Sequence, residues 1–533
     1  DLPPAFRRAP AAPMAEIQNG TCTMAPHDPT RRVTIIANDE TGCLPLLVHR
    51  GRDAIAFAND LPGLHAIVPH LTEDPIGRAE LYWFGYQIGD RTQFRDVTCI
   101  LPGTLMTIDW RSGAIATEDW RSGRRPVAGA TGSARDLATD VVEAMRTACR
   151  RLHRPERRYS IKLSGGMDSR LIAGCAAIPD LEAFNFTAPG TIECRIARKM
   201  AAATGMPLGV TEIQGDFYPT LHAPILIKHG AADCFHQSLL PAMAQKEIDC
   251  ALDGLGGDVM FGGLALRRKG GLRHAVRNAL GRAERALGTA VSDAAAAEVI
   301  FSQIRVPDAA FPVLKPEAMA AIEACRTDVL QDMARDFARC EPGAEFQQRY
   351  IRFAIRNRMR RLVALQGAVC RPEVETLYPF LDRDVQAMAA RIGWERTAGK
   401  RFYRALYRRH LPRIRSVPFV DSLLPPGLPG PVQVAGRIMR FGMERAGYRL
   451  SVAFGRDIPL WRINCVQWPR WITFDTEFME GVRRFMRASP AFDDARFAAA
   501  LNGVRRGTPP SSGTRLMLTA SYLGMEPIFD RFA

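Results

Sequence analysis

The sequence predicts an α/β protein in which a parallel sheet wrapped by helices follows a small β-rich domain. Three observations carry this. From Tyr159 to Leu252, strand-like apolar runs alternate with helix-like stretches, the pattern of a parallel sheet with crossover helices. Between Arg32 and Trp120, short β-branched runs are separated by turn residues. One strand of the alternating region runs through Ser164-Gly165-Gly166 straight into a helix, a junction suited to holding an anion.

Composition narrows the class. The chain has 533 residues, 47% hydrophobic and 24% charged, as expected of a globular protein of two to four domains. These values exclude a disordered chain, a collagen-like chain and a small disulfide scaffold. No apolar run reaches the ~18 residues of a membrane span, so no membrane partner is expected. The start, Asp1-Leu2-Pro3-Pro4-Ala5, has no signal-peptide pattern; it also lacks Met, as a fragment would. Lys and Arg exceed Asp and Glu by 15. Only seven of the basic residues are Lys, however, and Arg is spread along the whole chain. That spread argues for genome composition over a nucleic-acid-binding stripe. The twelve Cys form no C-x-x-C pair and no zinc spacing, so reduced thiols and a cytoplasmic location are expected.

The elements follow in order. Residues 1–30, rich in Pro and Ala, read as irregular. Val33–Ala37 and Pro45–Val48 read as strands around a turn at Asp39-Glu40-Thr41-Gly42, with further strands at Ala54–Ala58 and Thr104–Ile108, so 31–120 is a strand domain. Gly113–Gly132 reads as a linker. Ser133 caps a helix with Leu137, Val141, Met145 and Ala148 on its apolar side. Strands at Tyr159–Leu163, Leu181–Phe186, Leu208–Ile213 and Ile248–Leu252 alternate with helices at Asp168–Ala177, Glu193–Thr204 and Ser238–Lys246. Ile351, Ile355, Met359 and Leu362 mark one stripe of a later helix. A Pro-rich stretch, Leu424–Gly430, closes a domain spanning 133–430, and 431–533 reads as a mainly helical C-terminal region.

The chemistry concentrates in Ser164-Gly165-Gly166-Met167-Asp168-Ser169. Its glycines let backbone N–H groups approach an anion, Ser164 and Ser169 add hydroxyls, and Asp168 is placed for Mg²⁺ beside a phosphate. No G-x-x-x-x-G-K-[ST] occurs, which excludes a Walker A loop. The segment resembles the PP-loop of N-type ATP pyrophosphatases, the adenine nucleotide α-hydrolase-like fold. Within that group it is similar to the synthetase domain of class B asparagine synthetases. Asp253-Gly254-Leu255-Gly256-Gly257-Asp258 resembles the second Gly-rich motif of that family. Glu375-Thr376-Leu377-Tyr378-Pro379-Phe380-Leu381-Asp382 resembles E-x-R-x-P-F-L-D, and Gly399-Lys400 before Leu411-Pro412 resembles its G-K…L-P stretch.

The resemblance implies ATP as substrate and Mg²⁺ held by Asp168 and Asp258. It places Ser164, Gly165, Gly166, Asp168 and Ser169 on the pyrophosphate, and Leu163, Phe186 and Gly254 by the adenine and ribose. It implies Glu375 as the acid–base residue and Lys400 as the charge-stabilising cation. Glu193 reads either as part of the site or as a helix-dipole acid. Arg267, Arg268, Lys269, Arg273, Arg277, Arg282 and Arg285 read as a solvated loop and helix or as a lid. One or two of Arg352, Arg356, Arg358, Arg360 and Arg361 are expected to face pyrophosphate.

The departures from the family point to its substrate class. Asp39-x-x-Gly42-x-x-Pro45-Leu46 and Phe57-Ala58-Asn59-Asp60 resemble only the second half of the family's glutaminase domain. The nucleophilic N-terminal Cys is absent; Cys22 is the nearest. The acids of G-E-G-x-D-E are replaced by Leu255 and Val259, Leu377 stands for the motif Arg, and no R-x-K Lys follows Leu411-Pro412. These changes suit a bulkier, more apolar acyl donor than aspartate. The expectation is an amide-forming, AMP-forming ligase without its own glutaminase, acting on a small-molecule or peptide acyl substrate. The lead class is a precursor peptide closed to a macrolactam, as in lasso cyclases, with a protease partner. β-Lactam synthetase also lacks the glutaminase. The alternatives are asparagine formation from ammonia or glutamine, a related amidotransferase, a PP-loop tRNA-modifying enzyme, or a non-catalytic nucleotide-binding partner.

Overall fold

A computed structural model of the chain describes residues 21–121, 134–213, 235–262, 291–305, 313–341 and 344–505. The first part is built on two antiparallel sheets. β1 (Thr23–Met24), β2 (His27–Asp28), β3 (Val33–Asn38), β7 (Thr104–Asp109) and β8 (Ile115–Asp119) form one; β4 (Leu47–Arg50), β5 (Ile55–Ala58) and β6 (Val97–Cys99) form the other. Strand alternation sends Ile36, Met106 and Ile108 from the first sheet toward Val48 and Phe57 of the second. The region expected to be irregular thus supplies two strands after Cys22. They are only two residues long, too short to show a period, and are held by pairing to β3. The start of the expected linker is likewise β8, a mostly exposed and polar edge strand. The rest of that linker, with Ser133 and residues 1–20, lies outside the described residues. Two helices interrupt the strand domain, Leu61–His65 and Pro75–Phe84. Asp60 and Asp74 cap them by accepting from Gly63 and Ile76 N–H, with Pro in the first turn of each. That cap signal stands in the sequence.

The second part follows the alternation. β9 (Tyr159–Lys162), β10 (Glu182–Thr187), β11 (Leu208–Glu212), β12 (Cys250–Leu252) and β13 (Glu375–Leu377) form a wholly parallel sheet in the order β11-β10-β9-β12-β13. The chain runs outward from β9 to β11, then returns to the other side of β9 with β12. The point where the order reverses lies between β9 and β12, where open parallel sheets bind ligands at the carboxyl ends of their strands. Tyr159, Ile161, Cys250 and Leu252 pack on one face with the helix Ala134–Leu152, whose Leu137, Val141, Met145 and Ala148 are all buried. Ala251 and Phe184 pack on the other face with Leu239 and Met243.

The expected stripe from Ile351 to Leu362 is split. After the helix Phe346–Ala354 the turns widen over Ile355–Val363, where Ala364 N–H reaches back five residues to Met359 O at 2.8 Å. A wide turn rotates the following face. Ile355 and Met359 therefore join the core beside the sheet, whereas Leu362 packs on a second core. That second core takes residues from three of the expected segments, 31–120, 133–430 and 431–533: Trp83 and Phe94, Phe301 and Phe337, Phe478 and Val482. The C-terminal region is helical as expected, with helices at Gly430–Ala453, Trp468–Phe474, Thr476–Met486 and Asp494–Arg505. None of the described helices is long and apolar enough to cross a membrane.

Candidate active site

Two loops meet at the reversal point. The first follows β9 and opens the helix Asp168–Cys175. Its hydroxyls close on each other: Ser164 Oγ lies 3.1 Å from Ser169 Oγ and accepts from Gly166 N–H at 3.1 Å, and Ser169 Oγ accepts from Ser164 N–H at 3.2 Å. The second loop follows β12, and Asp253 accepts from Leu255 N–H at 2.9 Å to set its turn. The loops are in close contact through glycine. A Cβ on Gly257 would stand 2.5 Å from the Asp168 carboxylate, and one on Gly254 2.9 Å from Asp168 Cβ. No larger residue lets the two acidic loops approach this closely.

This approach sets the electrostatics. Burial, then the Asp258 charge, pushes the Asp168 carboxyl up to about 7, against the pull of Lys400 and Tyr403. Lys400 Nζ donates to Asp258 Oδ1 at 2.5 Å, and Tyr403 OH donates to Asp168 Oδ1 at 2.5 Å. Burial works against the Lys400 charge, but Asp258 and Asp168 outweigh it and hold its pKa above the usual range. Gly399 and Lys400 both adopt left-handed backbone, φ 61° and 60°. That conformation is strained for Lys, and it directs the side chain from the start of the helix Arg401–His410 onto Asp258. The Phe419 ring lies 5.5 Å from Nζ. Phe419 belongs to Ser416–Val420, the stretch that lacks the R-x-K lysine. That stretch is fixed across the first loop by Arg170, which donates to Val417 O and Pro418 O at 2.6 Å, and by Val420 N–H on Gly165 O at 3.1 Å.

The structure brings Ser164, Gly165, Gly166, Asp168, Ser169, Gly254, Asp258 and Lys400 together, but not Glu375. Glu375 is the first residue of β13 and pairs with Cys250, which pairs with Tyr159 at the start of β9. It therefore sits at the amino edge of the sheet, three or four residues, on the order of 10 Å, from the loops. There it makes an ion pair with Arg157. The motif survives for packing and capping: Phe380 and Leu381 are buried, and Asp382 caps the helix Arg383–Ile392 and binds Arg151 at 3.0 Å. Leu163 sends its side chain into the core, and its carbonyl accepts from Asn185 Nδ2 at 2.8 Å. Phe186 stacks on Phe235 at 5.6 Å, and Phe235 meets Trp468. Leu255 and Val259 are buried, so they remove the motif's acids without presenting a new polar group.

Glu193 has a role beyond the helix dipole. It accepts from Cys465 N–H at 2.8 Å and from Gly165 N–H at 3.4 Å, tying the first loop to the C-terminal region. None of Arg356, Arg360 and Arg361 turns to the loops: Arg356 pairs with Asp336, Arg360 donates to Ile100 O, and Arg361 to Gln87. Arg352 pairs with Glu341, and Arg358 is exposed. The basic run from Arg267 to Arg285 lies outside the described residues. Three groups went unread in the sequence. Tyr403 stacks on Tyr407 one turn along, a spacing that looks like ordinary core. Arg170 is buried in the first loop's helix. Lys162, at the end of β9, is buried 3.4 Å from Asp253 and from His236. Burial and the Lys162 charge push His236 down to about 3. A Lys inside a buried strand is rare enough to have been a signal.

This crevice sets a Gly-rich loop against a facing acidic loop at the reversal point of a parallel sheet, in an α/β protein. The asparagine synthase family model matches residues 140–416, just over half of the chain. The chain belongs to the asparagine synthase family, ATP-dependent ligases that form amide bonds. The match begins beyond the β-rich part. No curated protein matches the chain in sequence.

Proposed function

We propose that the protein activates a carboxylate with ATP and transfers the acyl group to an amine. The carboxylate oxygen bonds the α-phosphorus as the bond to pyrophosphate breaks; the amine then bonds the acyl carbon, AMP leaves and the amine loses a proton. The observation that carries this reading is the convergence of Asp168, Asp258 and Lys400 at the carboxyl ends of β9 and β12. Mg²⁺ fits the donor set. Two adjacent carboxylates, one with a raised pKa, favour a cation, and no third acid, His or Cys joins them among the described residues. Mg²⁺ takes one or two protein carboxylates and fills its remaining positions from phosphates and water. Bound there, it would neutralise charge on the departing pyrophosphate. Asp168 and Asp258 hold that position, the loop N–H groups orient phosphate, and Lys400 faces the charge that grows on the adenylate.

The acyl donor in this reading is bulkier and less charged than aspartate, with a precursor peptide closed to a macrolactam as the lead class and a protease as its partner. Its support is the loss of the motif acids at Leu255 and Val259. Independence from glutamine is supported by Cys22: burial, then Asp39, pushes its thiol up to about 11, which keeps it protonated and a poor nucleophile.

The test is exchange of labelled pyrophosphate into ATP, with peptide acids and with aspartate as acyl substrates. Exchange with a peptide acid, and its loss in Lys400→Met by on the order of 10²–10³-fold, is the expected result. ADP as product would overturn the adenylate. Exchange with aspartate alone would return the reading to asparagine formation, and glutamate release from glutamine would overturn the independence from glutamine.

A further inference from the structure

The helix Gly430–Ala453 has two unlike faces. Val434, Gly436, Arg440, Gly447, Tyr448 and Ser451 are buried. On the outer side, Val432, Ile438, Met439, Leu450 and the capping Phe454 are 40–66% exposed. At about 150–200 Å² for a fully exposed large side chain, they present on the order of 500 Å² of apolar surface. That equals the largest patches found on ordinary monomers, about 300–600 Å², without counting the small residues between them. A standard interface takes roughly 800 Å² from each partner.

The arrangement of this face names its occupant. Along its centre run Ala435, Gly442, Ala446 and Ala453, all exposed. Gly442 lies mid-helix, with nothing within 4 Å of where its Cβ would be. Glycine destabilises a helix interior, and no neighbour among the described residues requires it here. The face is also a palindrome about the level of Glu444. Two antiparallel copies set Ala435 against the partner's Ala453 and Gly442 against the partner's Ala446. On one flank Met439 meets the partner's Leu450 and Val432 the partner's Phe454; on the other, Ile438 meets the stem of the partner's Arg449. Arg445, exposed and one residue from the centre of symmetry, lies at the rim of that second flank, so no charge stands in the seam itself. We propose that this helix is a two-fold self-docking surface that pairs two copies of the chain antiparallel, with small residues at the seam. Self-complementarity of one patch is what a two-fold dimer requires.

The test is the solution mass of the full chain by sedimentation at about 50 µM, a concentration at which micromolar pairing is nearly complete. Twice the 58.9 kDa of one chain is expected. Met439→Glu and Leu450→Lys should each lower the mass to one chain, because each places two charges in the apolar flank. The double variant sets opposite charges across that flank and should regain the pair. These positions are solvent-facing, so far-ultraviolet circular-dichroism spectra should match the parent in all three variants, and melting temperatures should fall only as far as loss of pairing removes its contribution. A single-chain mass for the parent, a pair that survives Met439→Glu, or a double variant that stays single would overturn the proposal. So would a parent chain that stays single and binds phosphatidylserine vesicles through this helix.

Discussion

Asp168 and Asp258 hold like charges against each other on loops that glycine lets meet, and this has a pH signature. The folded Asp168 carboxyl titrates at about 7, against about 4 in an unfolded chain. Its pKa is raised, so the folded state binds the extra proton. The ligand-free protein therefore loses stability as pH climbs from about 4 toward 7. Cation binding has the opposite slope, because the metal needs the ionised acid. The Mg²⁺-induced rise in melting temperature should grow through pH 7. In Asp258→Asn the like charge is gone, and the midpoint of the metal-free loss of stability should move to lower pH. A midpoint unchanged by Asp258→Asn would show that Asp258 does not face Asp168. Gly257 is the steric counterpart. In Gly257→Ala the new methyl meets the Asp168 carboxylate and must displace it. Displacing a reacting group by about 1 Å lowers rates by on the order of 10²-fold. Pyrophosphate exchange should fall to that extent with little change in melting temperature; an active Gly257→Ala would place the loops farther apart than described.

β13 shows how a strand can carry a motif to the wrong end of a sheet. Glu375 matches the family pattern in type and spacing, and sequence alone makes it the natural proton acceptor. Register places it elsewhere, because the first residue of a parallel strand lies at the edge opposite the two glycine-rich loops. The pair with Arg157 is partly exposed, and such pairs contribute about 0–1 kcal/mol. Glu375→Gln should therefore leave both pyrophosphate exchange and amide formation within about two-fold of the parent. Abolished amide formation with exchange intact would return Glu375 to the acid–base role. The legible elements were those with strong periodicity. The helix Ala134–Leu152 and the strands of the parallel sheet fell close to where their apolar patterns put them. The helix Pro75–Phe84 hid among strand signals because seven of its ten residues are buried, which blurs the 3.6-residue stripe.

At the scale of the molecule, a buried arginine and a buried asparagine join the β-rich part to the part that carries the parallel sheet. Arg360 is buried and donates to Gly89 O and to Ile100 O. Beside it, Asn357 accepts from Gly89 N–H at 2.7 Å and donates to Asp336 at 2.7 Å. Arg360→Met keeps the volume but leaves those carbonyls without a donor. Each buried group stripped of its partner costs about 1–3 kcal/mol. Thermal unfolding should shift down by several degrees in one transition, since Trp83, Phe337 and Phe478 share a core across the chain. Two separate transitions would show that the parts fold independently.

The sequence by itself determined the parallel sheet and the Gly-rich loop, and it singled out Asp168, Asp258 and Lys400, which the fold brings together, because these rest on local signals: period, glycine placement and residue type at fixed spacing. Tertiary structure alone decided that Glu375 sits away from the loops and that Arg356, Arg360 and Arg361 turn from them. It alone placed Tyr403, Arg170 and Glu193 as supports of the loops. Those outcomes depend on strand register, on a widened helical turn and on contacts between residues more than two hundred positions apart. No pattern along the chain encodes such contacts one residue at a time.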